Sequence, residues 1–416
     1  MQRLLYNVFL VLYELSIRIA ALFNQKARKW VEGRRDILNV IKSTLPHHEE
    51  RIWMHCSSLG EFEQGRPLLE ELKKQYPKYK IVITFFSPSG YEVRKDYELA
   101  DYVFYLPMDG FRASSKFIRL VNPALAVFVK YEFWYYYLKC LDKSSIPTIL
   151  IAASFRKDQH FFKWYGGLFR LMLTFFDYLF VVDDASQRLL AGTGITNQVI
   201  VAGDTRYDRV VEIAKAAKMF PLIEQFMGST KLLIAGSTWP DDEHLLMQCM
   251  DVLPSDWKVV IAPHEVDEAH IQQILALFPK DAVRYSQLDQ NSAASRRILV
   301  IDNIGMLASC YHYGSVAYIG GGFQKGGIHN TLEPAVFGLP VIFGPVYRKF
   351  IEANLLVDHQ FAFPISNASE CRKVLEELLA EPSRLSALQF AIRLYVKKNI
   401  GATGRIIDRI NSERFL

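Results

Sequence analysis

Residues 316–345 read VAYIGGGFQKGGIHNTLEPAVFGLPVIFGP, and this segment gives the clearest indication of the architecture. An apolar segment at 316–322 runs into a glycine-rich loop, and a second apolar segment at 339–345 follows a predicted helix. A strand, a loop, a helix and another strand in this order are typical of a parallel sheet covered by helices. Glycines after a strand let backbone N–H groups approach a phosphate, and a helix N-terminus favours the negative charge.

The glycine loop matches neither of the two common nucleotide-binding motifs. No Gly-Lys-Ser/Thr follows the glycines, which excludes a P-loop, and the loop is not a GxGxxG at a first βα turn, which disfavours a dinucleotide. Asn330 and Glu333 lie three residues apart on one helical face, where they could hydrogen-bond a ribose or a base. The alternative interpretation is a glycine-rich turn with a structural role only.

The same alternation extends outward over most of the chain. Before the glycine loop, strands are predicted at 231–238, 258–265 and 297–302. In the first half of the chain, strands are predicted at 51–57, 80–87, 102–108, 125–132, 148–154, 178–184 and 199–208. The pattern predicts an α/β fold of two Rossmann-like, doubly wound domains that face a cleft, with ligands outside the carboxyl ends of the strands.

The predicted domain boundaries follow from this pattern. The segments are an N-terminal membrane anchor and basic segment at 1–45, a first Rossmann-like domain at 46–208, a linker at 209–230, a second Rossmann-like domain at 231–383, and C-terminal helices at 384–416.

Residues 4–23 are almost continuously apolar and about long enough to span a bilayer. Glu14 and Arg18 lie inside this segment, four residues apart and able to pair, and charges at membrane depth are costly. We therefore expect an anchor helix that lies in the membrane interface or is inserted shallowly; a true span, or a helix packed on the body of the protein, is the alternative. Basic residues that follow would face anionic headgroups and predict cytoplasmic domains: Lys26, Arg28, Lys29, Arg34 and Arg35.

Composition and charge bound the functions that the chain can have. Hydrophobic residues make up 50% and charged residues 22% of the 416 residues, which is typical of a folded protein. A net charge of +5 is too weak to indicate nucleic-acid binding and would suit an anionic substrate or membrane surface. The five cysteines lie far apart with no CxxC pair, so a zinc ribbon or redox motif is disfavoured.

Three motifs in the first half follow predicted strands. In SSLGE, Glu61 could act as a general base or simply cap a helix N-terminus, and spacing alone favours the cap. In KYEFW, Glu132 fits an ordinary surface loop when the pattern is considered alone. In GDTRYD, Arg206 could hold a phosphate or carboxylate through its planar fork of donors, or pair with Asp204 or Asp208.

Pro263-His264-Glu265, with His270 downstream, superficially resembles the helix of a zinc protease. That motif needs two histidines four residues apart on one helical face, whereas these two are six apart. We therefore expect no metal site there.

Taken together, these residues give the chain a resemblance to the 3-deoxy-D-manno-octulosonic acid (Kdo) transferases of lipopolysaccharide assembly. The resemblance covers nearly the whole length, beginning with the apolar N-terminus and NQKARKWVEGR. The motifs that carry it are HCSSLGE, VKYEFW, AGDTRYD, AGST, APHE, DNIGML and GGGFQKGGIHNTLEPAVFGLPVIFGP. Of these, the last and SLGE are the specific ones.

The resemblance implies a GT-B fold in which 46–208 is the acceptor domain and 231–383 the nucleotide-sugar domain. It implies transfer of Kdo from CMP-Kdo onto a lipid A precursor (lipid IVA) with inversion, in lipopolysaccharide core biosynthesis, with no metal and no cofactor. The enzyme would work at the inner membrane with its catalytic domains on the cytoplasmic side. The alternatives are another GT-B lipid glycosyltransferase, a nucleotide-sugar epimerase, or a non-catalytic membrane scaffold.

The resemblance also assigns roles to residues. Glu61 matches the general base, and Glu132 and Arg206 match positions of transition-state stabilisation. The CMP of the donor would be held by Pro263, His264, Ile304, Gly305, Met306, Asn330, Thr331, Leu332 and Glu333. The chain departs from the family pattern at His264, where arginine is frequent, so a cation at the phosphate is in question at neutral pH. It also has Arg206 where lysine is common and Lys130 where an acidic residue is frequent.

Overall fold

The computed structural model describes residues 2–196, 198–289, 293 and 295–416. The chain divides into two compact units: the first comprises residues 1–208 and 400–416, and the second comprises residues 209–399. Each unit contains a seven-stranded sheet whose paired strands are all parallel. The predicted fold class, two parallel-sheet α/β domains, is therefore confirmed.

The sheet of the first unit has the strand order β3-β2-β1-β4-β5-β6-β7. Its strands are β1 Arg51–Cys56, β2 Lys80–Phe85, β3 Tyr102–Tyr105, β4 Pro123–Val129, β5 Thr148–Ala153, β6 Tyr178–Val181 and β7 Val199–Val201. The order reverses between β1 and β4, and such a reversal opens a crevice at the carboxyl ends of the two strands.

Helices cover both faces of this sheet. They are α1 Gln2–Ala20, α2 Gln25–Glu32, α3 Ile37–Thr44, α4 Leu59–Gln75, α5 Pro88–Arg94, α6 Phe111–Val121, α7 Tyr135–Lys143, α8 Gly167–Leu173 and α9 Asp184–Ala191, with a 3-10 helix at His160–Phe162. Alternate residues of β1 enter two separate cores, Trp53 on one face and Ile52 and Met54 on the other. This two-sided burial explains why the strands of the sequence are continuously apolar.

The sheet of the second unit has the order β10-β11-β9-β8-β12-β13-β14. Its strands are β8 Lys231–Thr238, β9 Trp257–Pro263, β10 Ala282–Arg284, β11 Ile298–Val300, β12 Val316–Ile319, β13 Val341–Phe343 and β14 Ala362–Pro364. Helix α10, Thr205–Lys215, begins in the first unit and ends in the second. The helices that follow are α11 Pro221–Met227, α12 Pro240–Gln248, α13 Glu268–Leu277, α14 Leu307–Cys310, α15 Leu332–Val336, α16 Ile351–Asp358, α17 Ala368–Leu379 and α18 Pro382–Asn399, with 3-10 helices at Tyr285–Gln287 and Tyr311–Tyr313.

Three features differ from the predicted boundaries. The segment 209–230, predicted as a linker, contains the end of α10 and all of α11, whose Ile223 and Phe226 are buried. The C-terminal segment 384–416 divides between the units, because α18 belongs to the second and α19, Ala402–Glu413, packs into the core of the first. The three-residue strands β10 and β14 were not predicted, because so short a segment carries no period.

Helix α1 packs against the rest of the first unit through the rings of Tyr6 and Tyr13, the buried Leu10 and a few hydrogen bonds. The hydroxyl of Tyr6 donates to the buried carboxylate of Asp109 at 2.6 Å, and the hydroxyl of Tyr136 donates to the side chain of Asn7 at 2.8 Å. Glu14 and Arg18 pair at 2.6 Å, as predicted. The opposite side of the helix exposes large apolar residues: Leu4, Leu5, Val8, Phe9, Val11, Leu12, Leu15 and Ile19. Across the described residues, no helix combines the length and the apolar character needed to cross a bilayer.

Candidate functional site

Glu61 stands at the carboxyl end of β1, where the chain turns into α4. It is the third residue of the helix, and its carboxylate accepts hydrogen bonds from the backbone N–H groups of Ser57 at 2.6 Å and Ser58 at 3.2 Å. The predicted capping contact is therefore present. Burial and the nearby carboxylate of Glu132 nevertheless raise the pKa of Glu61 to about 7, against the lowering effect of the two N–H groups.

Glu132 is buried at the end of β4, beside β1. Its Oε2 lies 2.9 Å from Nε2 of His55 and accepts from the indole N–H of Trp134 at 2.7 Å. Nδ1 of His55 lies 2.9 Å from the hydroxyl of Thr84, which accepts from the indole N–H of Trp53 at 2.8 Å. If the hydroxyl of Thr84 donates to Nδ1 of His55, the ring hydrogen of a neutral His55 is on Nε2, which then donates to the carboxylate of Glu132. The hydrogen bonds then run in one direction, from Trp53 to Glu132. Glu132 is thus part of a buried network and does not lie in a surface loop.

Arg206 lies just after β7, at the start of α10. Its guanidinium donates to both carboxylate oxygens of Asp204, at 2.7–3.1 Å. Asp208, the other predicted partner, instead accepts from the backbone N–H groups of Gly401 and Thr403 and so caps α19. The structure therefore shows the alternative that the sequence left open, a pair between Arg206 and Asp204, and the binding of a ligand by Arg206 stays a prediction.

In the second unit, three aromatic rings stack where β8, β9 and the glycine loop end. The ring of His264 lies between Trp239, at a centroid distance of 4.9 Å, and His329, at 4.3 Å. The indole N–H of Trp239 donates to Nε2 of His329 at 3.4 Å, which leaves the ring hydrogen of a neutral His329 on Nδ1. Burial and the neighbouring His264 lower the pKa of His329 to about 4, so His329 is neutral at pH 7.

The glycines of residues 320–322 allow strand ends to pack closely. A Cβ on Gly320 would lie 2.2 Å from the carbonyl oxygen of Ser237, and one on Gly322 would lie 2.4 Å from the backbone nitrogen of Gly344. The N–H of Gly321 donates to the buried carboxylate of Asp242 at 2.9 Å. This end of the loop therefore has the structural role that the sequence offered as the alternative to phosphate binding.

The loop residues that the sequence predicts to bind the CMP of the sugar donor lie together at the far end of the loop. Asn330 Nδ2 donates to Glu333 Oε1 at 3.0 Å, and Asn330 Oδ1 accepts from the N–H of Leu332 at 3.0 Å. The buried hydroxyl of Thr331 has no partner among the described residues. Helix α15 has only five residues, so its dipole is weaker than the sequence pattern suggested.

The other residues predicted to bind the CMP of the sugar donor lie at neighbouring strand ends. Pro263 ends β9, and Ile304, Gly305 and Met306 form the turn before α14. In this turn Ile304 is 89% exposed, whereas Met306 is buried. Gly305 has a φ of 90°, a conformation that side chains disfavour.

His270 stabilises the same edge of the sheet through two contacts. Its Nδ1 lies 3.0 Å from the carbonyl oxygen of Glu265 and its Nε2 lies 3.0 Å from the buried carboxylate of Glu243. His270 therefore ties the segment after His264 to α12. Among the residues that the structure describes, no three His, Cys, Asp or Glu side chains lie together in a way that could hold a metal ion.

Sequence reasoning assigned no role to four residues that shape these sites: His55, Trp239, Asp242 and His329. A signal existed for two of them. His55 is a polar residue in the apolar strand β1, and Asp242 stands in the acidic first turn of α12. The stacking of Trp239 on His264 depends on which strand ends are neighbours, and this order is not visible in the sequence.

Comparison with known proteins finds similarity to the Kdo transferases, the family that the sequence motifs resemble. Residues 31–209 match the family model of 3-deoxy-D-manno-octulosonic-acid transferase (kdotransferase). The 3-deoxy-D-manno-octulosonic acid transferase of Haemophilus influenzae is 25% identical over 369 residues, covering 86% of each chain. The corresponding enzyme of Aquifex aeolicus is 26% identical over 345 residues, covering 82% of this chain and 89% of the relative.

Two solved structures show the fold. UDP-GlcNAc 2-epimerase from Neisseria meningitidis, bound to UDP-GlcNAc, has a TM-score of 0.59 at 15% identity and covers 87% of this chain and 100% of its own. Acinetobacter baumannii MurG has a TM-score of 0.54 at 12% identity and covers 88% of this chain and 99% of its own. The chain therefore has two parallel-sheet units of GT-B type, and it is similar to the 3-deoxy-D-manno-octulosonic acid transferases, which supports a glycosyltransferase.

Proposed function

We propose that this protein transfers Kdo from CMP-Kdo onto a lipid A precursor, lipid IVA, with inversion, in lipopolysaccharide core biosynthesis. The observation that carries the proposal is Glu61, a partly buried carboxylate at a strand end whose pKa is raised to about 7. A carboxylate that is about half deprotonated near neutral pH is well suited to take a proton from a hydroxyl group in the transition state. The similarity to Kdo transferases is the reason for proposing Kdo as the transferred sugar.

In the proposed reaction, Glu61 removes the proton of the acceptor hydroxyl while its oxygen attacks the anomeric carbon of Kdo. The bond from that carbon to the phosphate oxygen breaks, and its electron pair leaves with CMP. Glu132 acts on the base through its charge, which helps to keep the pKa of Glu61 near 7. Arg206, already paired with a carboxylate, has the geometry to stabilise negative charge as the transition state forms.

The donor is proposed to bind the second unit through its nucleotide. Asn330 and Glu333 offer paired polar groups to the ribose or base, with Thr331 and Leu332 between them. A neutral His264 still donates one hydrogen bond to a phosphate oxygen. Pro263 and the turn Ile304–Met306 complete the proposed CMP site.

The protein is proposed to work at the inner membrane with its catalytic units on the cytoplasmic side. The support is the apolar side of α1, which exposes Leu4, Leu5, Val8 and Phe9, and the basic residues that follow it. Such a helix can lie in the interface while anionic lipids attract the basic segment. The acyl chains of the acceptor would then remain in the bilayer during transfer.

The product mass tests this function directly. Incubation of the purified full chain with CMP-Kdo and lipid IVA should add the mass of one or more Kdo residues, and EDTA should not reduce the yield. UDP-GlcNAc in place of CMP-Kdo should give no product. Conversion of UDP-GlcNAc to its epimer, or activity that vanishes in EDTA and returns with Mg²⁺, would overturn the proposal.

A further inference from the structure

A cavity of about 630 Å³ lies between α1, α2 and the body of the first unit. Its volume is within the range of small-molecule sites. Four arginines line it, and two of them, Arg28 and Arg35, are exposed at its rim. Arg18 is already paired with Glu14 at 2.6 Å. The fourth, Arg34, differs from the others because it is held inside the protein.

The guanidinium of Arg34 is enclosed by aromatic rings. It lies 4.0 Å from the ring centroid of Trp30, 4.8 Å from that of Phe86 and 5.2 Å from that of Tyr105. It donates to the carbonyl oxygens of Trp30 at 3.2 Å and Phe86 at 2.7 Å. Its Nε is buried without a partner, and no carboxylate of the described chain lies within ion-pair distance.

The Arg34 side chain is only partly exposed, and the rings and carbonyls replace only part of the hydration that its charge loses; Glu14, which lines the same cavity, opposes this loss without forming an ion pair with Arg34. Burial accordingly lowers the pKa of Arg34 to about 9. An anion in the cavity would supply the missing partner. A guanidinium matches the oxygens of a phosphate through paired N–H donors, so phosphate is the anion that this side chain favours.

The remainder of the cavity is lined by apolar side chains and by two carboxylates, Glu32 and Glu14, of which Glu14 is paired with Arg18. Leu22, Val31, Ile37 and Met108 line it, and Leu22 is 68% exposed at its edge. A ligand that satisfies both surfaces carries a phosphate at one end and an alkyl chain at the other. The chain end would leave the cavity beside Leu22, where the apolar side of α1 continues.

We propose that this cavity binds the phosphate group of a phosphorylated lipid, with Arg34 as the deepest contact and Arg28 and Arg35 at the rim. The identity of that lipid rests on the proposed function, and two sources share the chemistry: the phosphorylated acceptor and an anionic phospholipid of the bilayer. Neither Glu61 nor a residue of the proposed CMP site lines this cavity.

The test is calorimetric titration of the full chain with octyl phosphate, octyl glucoside and inorganic phosphate. Octyl phosphate should bind more tightly than either of the other two, since only it carries both groups. Arg34→Gln should weaken octyl phosphate about tenfold, the scale of losing one charge-assisted hydrogen bond. Arg119→Gln, an exposed arginine on α6 outside the cavity, is the matched control and should leave binding unchanged.

The double variant Arg28→Gln/Arg35→Gln keeps the test decisive if Arg34→Gln fails to fold. Both side chains are exposed, and their loss should weaken octyl phosphate several-fold and reduce the salt dependence of binding. Equal binding of octyl glucoside would overturn the proposal, and so would wild-type affinity in the double variant.

Competition identifies the source of the phosphate. Displacement of octyl phosphate by lipid IVA, but not by its dephosphorylated form, would identify the acceptor, whereas displacement by phosphatidylglycerol would identify the bilayer. Displacement by neither would contradict the site. If the protein does not transfer Kdo but its binding of octyl phosphate still requires Arg34, the proposed function is wrong and the phosphate site remains. If it transfers Kdo but binds octyl phosphate without Arg34, only the phosphate site is wrong.

Discussion

Glu61 and Asp242 occupy equivalent places in the two units, yet their surroundings differ. Each is the third residue of the helix that follows the first strand of its sheet. Each accepts backbone N–H groups at that helix start, Glu61 from Ser57 and Ser58, and Asp242 from Trp239. Burial raises the pKa of both carboxyl groups. On local pattern alone, the two residues would be assigned the same role.

The difference lies in what else reaches each carboxylate. Asp242 has no exposed surface, and it also accepts from the hydroxyl of Tyr318 at 2.7 Å and the N–H of Gly321 at 2.9 Å. Glu61 keeps part of its surface open and faces a second carboxylate, Glu132. Helix capping and acid–base chemistry are therefore not alternatives. Access for a substrate, together with a charged neighbour, separates a candidate base from a structural carboxylate.

Glu61→Gln should produce the largest effect, because it removes the proposed base and keeps a similar shape. We expect kcat to fall about 10²–10⁴-fold, with CMP binding to the second unit nearly unchanged. Single-turnover transfer and CMP calorimetry measure the two quantities. Glu63→Gln, on the same helix and paired with Arg94, is the matched control and should keep normal turnover. Near-normal turnover of Glu61→Gln would remove this residue from the base role.

Asp242→Asn tests the other half of the comparison. The amide offers one acceptor oxygen to three donors, so at least one of the hydrogen bonds from Trp239, Tyr318 and Gly321 should be lost. We expect the free energy of unfolding to fall by about 1–3 kcal/mol, measured by urea denaturation. The transfer rate should rise with pH over the same pH range as in the wild type, because Asp242 is not the proposed base. A shifted pH profile with unchanged stability would mean that Asp242 takes part in the chemistry.

The fold could be predicted from the sequence because its strands are buried on both sides. Segments such as VVIAP (259–263) and LLIAG (232–236) contain only apolar residues, and helices of readable length separate such segments. The three-residue strands β10 and β14 lack such a signal. The division of 384–416 between the units could not be predicted either, because α19 packs against α4, which lies more than 300 positions earlier in the chain.

The candidate site was predictable only where a side chain follows a strand directly. Glu61 and His264 do so, and the parallel topology places them at the carboxyl edges of their sheets. The environment of a residue is a different matter. That Glu132 is buried against His55 depends on the pairing of β4 with β1, which no local pattern encodes. The same holds for the closeness of Glu132 to Glu61, which adds to the effect of burial in raising the pKa of the candidate base.

The second unit should bind its ligand through the partly exposed Glu333, whereas the fully buried carboxylate of Asp242 stabilises the fold. Glu333→Ala removes the hydrogen bond from Asn330 and the proposed contact to the nucleotide. We expect CMP binding to weaken by about 1–3 kcal/mol in calorimetry, with stability little changed. Glu376→Ala, exposed on α17, serves as the control. If CMP titrates equally well into Glu333→Ala, the nucleotide site lies elsewhere.

The smallest effect should come from Glu132→Gln, which removes the charged neighbour and leaves Glu61 in place. A general base works only when deprotonated, so the transfer rate of the wild type should rise with pH through about 7, the pKa of Glu61. Without the charge of Glu132, that pKa should fall by up to about one unit, and the rise should move to lower pH. It should remain above the ordinary range because burial is the larger cause. The pH–rate profile measures the shift, and the carboxyl ¹³C resonance of Glu61 reports the same titration if turnover is slow. A rise that stays at the wild-type pH would mean that burial alone raises the pKa of Glu61, as it does that of Asp242, and the comparison of the two residues would then rest on access alone.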